Sequence, residues 1–523
     1  MTKVKKEIKK RVALIILDGW GIAPASKGNA ISLARKPTLD YLQGNYPETQ
    51  LEASGESVGL RADVPGHSEA GHLNLGAGRV VLDDSLFISQ SIANNMFFEN
   101  QALIKTFEHV NKNKSHLHLM GLLSESATGH ADPDHLIALL EMAKKHGVEK
   151  VFLHLFSDGR DATAHSLLKA YAKIKPYING AKIVSLIGRA YAMDRTKDWK
   201  KIEKAYNLLV LGEGKKFNTL GEAVSYAYNR SGRSPALLTD EYIPASYFPI
   251  DDQPVTINDN DGLIFFNLRS DRARQLTKVF VQTDFNKKNP GSFRRKKVLK
   301  NLFFCALTEF GPDLDDIKTA FPSRRIENSI TATLKGFSQS YISEKEKYAH
   351  VTYFFNGGHD QPVAGEKRIL IASPNIESYE EKPEMNAQAV TERVVQEIKK
   401  GTDFVVVNFA NPDILGHTGN VETTIKAIEF IDRCLGKIHQ AAALAKMVMI
   451  ITADHGNADE MIDLKTKEAY HGHSMNPVPF ILVSRAFKKA KLKKGVLGDV
   501  APTILEIMDV AKPKEMIGQS LLK

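Results

Sequence analysis

Short apolar runs recur along this chain, and each is stopped by a residue that can carry chemistry. VALIIL (12–17) ends at Asp18, FVVVNF (404–409) leads to Asp413 and His417, and MVMIIT (447–452) leads to Asp454 and His455. Longer amphipathic segments lie between the runs. That alternation predicts parallel strands joined by crossover helices, an α/β fold. In open α/β sheets ligands sit beyond the carboxyl ends of the strands, so the residues that stop each run are the candidates for function.

The run endings fall into two sets. Carboxylates and imidazoles end the first, which also includes His473, just ahead of the apolar run in HGHSMNPVPFILVS (471–484). Arginines end the second. KVFLHLFSDGRD (150–161) delivers Arg160 and Asp161, KIVSLIGRAYAMDR (182–195) delivers Arg189 and Arg195, and GLIFFNLRSDRAR (262–274) delivers Arg269, Arg272 and Arg274. The first set occupies both ends of the chain and the second set its middle. A chain of 523 residues is too long for one ordinary core. The expectation is a discontinuous domain, residues 1–83 and 319–523, with a second α/β domain, 84–318, inserted into it. The segment 420–445 spaces Ile425, Ile428, Ile431 and Leu435 as the buried stripe of a helix.

Asp18, Asp413, His417, Asp454, His455 and His473 mix hard oxygen with imidazole, which suits manganese or zinc better than magnesium. Six donors are more than one ion with open positions would use, so two ions are expected, the usual apparatus for attack on phosphorus. PGHSEAGHLNLGAGR (65–79) then offers Ser68 as a further ligand and as the nucleophile, with its glycines admitting something large. It is not the Gly-x-Ser-x-Gly elbow of hydrolases. Singly, each residue has an ordinary reading: a surface turn around Ser68, an Asp-Gly turn at Asp18, a loop histidine at His473. Their shared position at strand ends favours the chemical one. The arginines of the second set would bind a phosphate and a carboxylate together, although Asp158, Asp194 and Asp271 offer some of them ordinary ion pairs. Lys347, near the crossover between the domains, adds a cation.

The formal net charge is +9, but much of the excess lies in tracts at 3–11, 294–297 and 488–494. No aromatic residues are interleaved with these lysines, so solvated surface is expected rather than a nucleic-acid partner. The apolar run after the basic start is too short for a signal or membrane segment. Two cysteines, Cys305 and Cys434, are too few for a disulfide framework. A soluble cytoplasmic monomer with no membrane partner is expected.

LDGWG (17–21), HSEAGHLNLGAGR (67–79), DGRD (158–161), GRAYAMDR (188–195), FFNLRSDRARQ (265–275), EKYAHVTYFFNGG (346–358), NFANPDILGHTG (408–419), TADHGNADEM (452–461) and HSMNPVPF (473–480) share one pattern. On these stretches the chain resembles, end to end, the cofactor-independent phosphoglycerate mutases of the alkaline phosphatase superfamily. The resemblance implies an alkaline-phosphatase-like domain holding two manganese ions, with a substrate-binding, transferase-like domain inserted into it. Asp413, His417 and His473 would hold one ion, and Asp18, Ser68, Asp454 and His455 the other. Arg160, Asp161, Arg189, Arg195, Arg269, Arg272 and Lys347 would contact the substrate. The implied reaction interconverts 3-phosphoglycerate and 2-phosphoglycerate through phosphoserine, without 2,3-bisphosphoglycerate, and calls for domain closure.

Two departures stand out. His67 replaces the family's usual Asn beside the nucleophile. The family's Ser-Asp-Gly-Gly-Val-His-Ser-His motif is replaced by SESATGHADPDH (124–135), where His130 becomes the substrate histidine if one residue is inserted and His135 is the rival. A phosphatase, sulfatase or phosphopentomutase on the same scaffold is the main alternative. The arginine-rich insertion argues against a hydrolase. A non-catalytic scaffold would have lost a ligand, and all seven are present.

Overall fold

The computed structural model describes residues 10–178, 180–463 and 466–523; most of the basic tract 3–11 lies outside the described residues. The chain forms two compact units, Met1–Asp83 with Arg324–Lys523 and Asp84–Ser323.

The first unit is built on an eight-stranded sheet. Its central strand is Val12–Leu17, parallel to Phe404–Phe409 on one side and Val448–Thr452 on the other, with Ile15 opposite Val407 and Ile451. All six residues of that strand are fully buried, which is why it reads as a continuous apolar run rather than an alternating one. Gln339–Glu344 and Lys367–Ile371 extend the sheet in parallel beyond Phe404–Phe409. Val478–Val483 runs antiparallel to Val448–Thr452. Its reversed direction explains why His473 precedes its strand while the other candidates follow theirs. The sheet finishes with Glu48–Glu52 and Gly495–Val496. The helix Val421–Leu444 buries Ile428, Ile431 and Leu435 in this unit's core, and Asn420 caps it by accepting the Thr423 N–H at 3.1 Å.

The second unit also holds an eight-stranded sheet. Its strand order is Lys318–Phe321, Phe303–Thr308, Gly262–Phe265, Leu117–Leu123, Val151–Ser157, Lys182–Gly188, Ser246–Tyr247 and Lys215–Lys216. Among the described residues of this sheet, only the Lys182–Gly188 and Ser246–Tyr247 pair is antiparallel. Alternate residues of one strand feed different apolar clusters, Leu119 and Ile264 into one, Met120 and Phe265 into the other, because successive strand side chains point to opposite faces. The strand Lys318–Phe321 pairs with Phe303–Thr308 and packs Ala320 into the first of these clusters. The division therefore falls at 323/324, a few residues beyond the expected 318/319, which would have severed that strand. Among the described residues no helix is long and apolar enough to cross a membrane. Cys305 and Cys434 are free and buried.

Candidate active site

Three adjacent parallel strands end side by side in the first unit, and their endings converge. Asp18 follows Val12–Leu17. Asp413 lies on the short helix Asn411–Gly416 after Phe404–Phe409, with His417 at that helix's C-cap. Asp454 and His455 follow Val448–Thr452. Ser68 opens the helix Ser68–Ala77, and His67 caps it, its Nδ1 accepting the Ala70 N–H at 3.3 Å. The serine hydroxyl thus sits at the positive end of a helix, where negative charge is favoured. The glycines of this segment serve packing rather than a bulky ligand. A Cβ on Gly71 would strike the Asp454 backbone, and one on Gly76 the Phe355 carbonyl. They admit the chain itself.

Ser68 Oγ lies 3.2 Å from Asp18 Oδ1 and 3.0 Å from His455 Nε2. Lys347 Nζ donates to Ser68 Oγ at 2.6 Å, and lies 2.6 Å from both Asp18 Oδ1 and Asp413 Oδ2. Lys347 therefore belongs to this cage. Asp18, Asp454 and His455 place ligand atoms within 4.8 Å of one another, as do Asp413, His455 and His473. His417 Nε2 joins the second group, 3.1 Å from His473 Nε2 and 3.4 Å from Asp413 Oδ1.

The electrostatics show a site built to take positive charge. Burial alone would raise the Asp18 pKa, but the Lys347 ammonium and His455 reverse this and hold it well below the carboxylate range. Burial would lower Lys347, yet Asp18, Asp413 and Asp454 push it above the ordinary lysine value. Burial likewise opposes the charged form of His455, but the same three carboxylates raise it to about 9. Asp454 Oδ2 is buried without a hydrogen bond. Three carboxylates, three imidazoles, an unsatisfied buried oxygen and an ammonium drawn into their midst are a donor set that fits divalent cations.

The second unit gathers the arginines at the carboxyl ends of its strands. Arg189, 1 % exposed, donates through Nη1 to Asp158 Oδ1 at 2.6 Å and Asp161 Oδ2 at 2.7 Å. Its Nε and Nη2 are buried with no hydrogen-bond partner among the described residues. Asp161 is thus a counter-ion of Arg189. The Arg272 pKa is lowered by burial and then by the charges of Arg195, Arg189 and Arg160, which shows how closely these cations crowd. Arg160 pairs with Glu241 at 3.3 Å and Arg195 with Asp271 at 3.1 Å, both on exposed side chains. Arg274 pairs instead with Asp313 at 2.6 Å. His130 reaches this group: its Nε2 is 3.8 Å from Asp161 Oδ2, and Leu268, next to Arg269, donates its N–H to the His130 carbonyl at 2.8 Å. Burial lowers the His130 pKa to about 4, leaving a neutral ring. His135 is buried on the helix Pro133–Lys145 with its Nε2 3.0 Å from Ser89 Oγ.

The sequence profile of the Metalloenzyme superfamily matches residues 10–512. A 2,3-bisphosphoglycerate-independent phosphoglycerate mutase from Clostridioides difficile (strain 630) is 43% identical, over 98% of this chain and 99% of its own. One from Moorella thermoacetica is 42% identical over the same shares. The chain belongs to this mutase family. A crystal structure of phosphoglycerate mutase from Leishmania mexicana, obtained at low cobalt concentration, superimposes with a TM-score of 0.71 at 28% identity, covering 99% of this chain and 98% of the other.

Within that family, both departures of this mutase find a structural account. His67 caps the Ser68 helix through a ring nitrogen, as an Asn would through its amide oxygen. The altered 124–135 segment still brings one histidine, His130, to the arginines. Sequence reasoning missed the residues that hold the mutase's ligands in place. Asn408 Nδ2 donates to Asp18 Oδ2 at 2.6 Å, Asn457 Nδ2 donates to Asp413 Oδ1 at 2.8 Å, and His72 Nδ1 lies 2.9 Å from the Ser68 carbonyl. Asn408 carried a readable signal, a lone amide inside an otherwise apolar strand.

Proposed function

We propose that this enzyme interconverts 3-phosphoglycerate and 2-phosphoglycerate, with Ser68 carrying the phosphoryl group between the two halves of the reaction. The observation that carries this is the Ser68 hydroxyl, at a helix N-terminus, within hydrogen-bond reach of Lys347, His455 and Asp18 at once. Two divalent ions, manganese as the family resemblance implies, would be held by Asp413, His417 and His473 and by Asp18, Ser68, Asp454 and His455, and would neutralise phosphoryl oxygens and acidify the serine. Lys347 Nζ donates to Oγ, a bond that strengthens as charge builds there. In the first half the bond from Ser68 Oγ to phosphorus forms as the substrate's phosphate ester breaks. In the second half the other glycerate hydroxyl attacks phosphoserine and frees Ser68. Arg189, with Arg160, Arg195, Arg269 and Arg272, holds the anionic groups of the substrate. His130 and Asp161 line the same cradle, with Asp161 fixing the Arg189 plane.

The donor set supports independence from 2,3-bisphosphoglycerate, and buried free thiols support a reducing, cytoplasmic setting. We assign the active form as a monomer, to be checked by sedimentation. The deciding experiment is a manganese-dependent assay of 3-phosphoglycerate conversion, run with a free-phosphate assay. The wild type should convert substrate with little phosphate release and lose activity to a chelator, without rescue by 2,3-bisphosphoglycerate. Ser68→Ala should lose about a millionfold in turnover yet still bind manganese. Phosphate as the main product would make the enzyme a phosphatase, and residual turnover in Ser68→Ala would remove the serine from its role.

A further inference from the structure

A second group of metal-type donors lies at the amino ends of the second unit's strands, at the opposite end of that sheet from the arginines. His116 and His118 are two residues apart around the start of Leu117–Leu123, so both rings sit on one face. The neighbouring strand Gly262–Phe265 pairs in parallel, with Gly262 level with Leu117, which places Asp261 level with His116. Ligand atoms of His116, His118 and Asp261 lie within 4.8 Å of one another. The carboxylate is held in position. Asp261 Oδ1 accepts the His116 N–H at 2.9 Å, Oδ2 accepts the Asn258 N–H at 2.8 Å, and His118 Nε2 is 3.1 Å from Oδ2.

Behind His118 runs a buried relay. His118 Nδ1 is 2.8 Å from His154 Nε2, and His154 Nδ1 is 2.7 Å from Ser185 Oγ. The chain of bonds can point either way. With a proton on His118 Nε2, that N–H donates to Asp261, and His118 Nδ1 accepts from His154. With a cation on Nε2 instead, His118 Nδ1–H donates to His154, and His154 Nδ1–H donates to Ser185. No bond of the relay is lost and neither ring gains charge. A partner on the far nitrogen is what fixes the tautomer of a ligating imidazole. His116 also borders a cavity of about 550 Å³, together with Phe152, Lys182 and Asn258, so water can approach the group from its side.

We propose that His116, His118 and Asp261 bind a zinc ion, distinct from the cage of the first unit. Two imidazoles, one carboxylate and water form a familiar zinc environment. The test uses the full-length chain, stripped of metal, equilibrated with zinc alone, freed of loose ion by gel filtration and analysed for metal per chain. His116→Gln should bind one zinc fewer than the wild type, with an unchanged thermal melt in the metal-free state and unchanged manganese-dependent turnover. His118→Asn should lose the same equivalent. As a control against misfolding, Asp413→Asn with His473→Gln, which spares the Asp18, Asp454 and His455 group, should keep two zincs, one of which disappears when His116→Gln is added. Equal zinc in the wild type and His116→Gln, or no loss of zinc when His116→Gln is added to the cage variant, would overturn the proposal and leave the group a hydrogen-bonded relay.

Discussion

Ser68 draws on several neighbours rather than on one partner base. Lys347 donates to its oxygen, the amino end of its helix favours the developing charge, and Asp18 and His455 lie within reach of its proton. The histidines of the divergent 124–135 segment separate by surroundings. His130 faces Asp161 and the arginines, whereas His135 is bonded to Ser89. His130→Ala should therefore lower kcat/KM for 3-phosphoglycerate by roughly 10–100-fold, measured by steady-state kinetics, with little change in melting temperature. His135→Ala should do the reverse, costing about 1–3 kcal/mol of stability by emptying a fully buried site and depriving the half-buried Ser89 hydroxyl of its partner. A larger kinetic loss for His135→Ala would mean that the wrong histidine has been placed in the cradle.

At the scale of elements, the helix Ser68–Ala77 shows how packing sets up chemistry. Its Gly71 lies against the Asp454 backbone, so helix and strand end approach closely enough for Ser68 and His455 to meet. Gly71→Ala should cost about 1–3 kcal/mol by overpacking and, by displacing Asp454, lower turnover by roughly a hundredfold, read from thermal melts and manganese-dependent assays. The strand Val12–Leu17 and the helix Val421–Leu444 were legible in sequence because burial writes itself as apolar pattern, continuous in one and helically spaced in the other. The strand-end rule likewise pointed to Asp18, Asp413, Asp454 and His455, since neighbouring parallel strands must end together. Lys347 was expected as a cation, but its partners were not legible, because Ser68, Asp18 and Asp413 are remote from it in sequence. The role of the glycines was also hidden: small residues beside a serine look the same whether they admit a ligand or a neighbouring backbone. Asn457 and His72 act through other residues, and no pattern marks that.

Each unit of the whole molecule encloses its own sheet and apolar clusters. Residues 84–323 are continuous in sequence and contain every strand of their sheet. Expressed alone, this segment should fold, giving a cooperative melt by circular dichroism and slow amide exchange in Leu117–Leu123 and Val151–Ser157. Residues 1–83 alone should stay unfolded, because Val12–Leu17 finds its partners in Phe404–Phe409 and Val448–Thr452. A melt without cooperativity in the first fragment, or protected amides in the second, would contradict this account.

The same connectivity sets a timetable for the newborn chain. The strand destined for the middle of the sheet leaves the ribosome first, and its neighbours are translated roughly 20–80 s later at ordinary rates of synthesis. Throughout that wait a greasy ribbon with two bare hydrogen-bonding edges must be kept from other nascent chains, while the interposed segment can already complete its own fold.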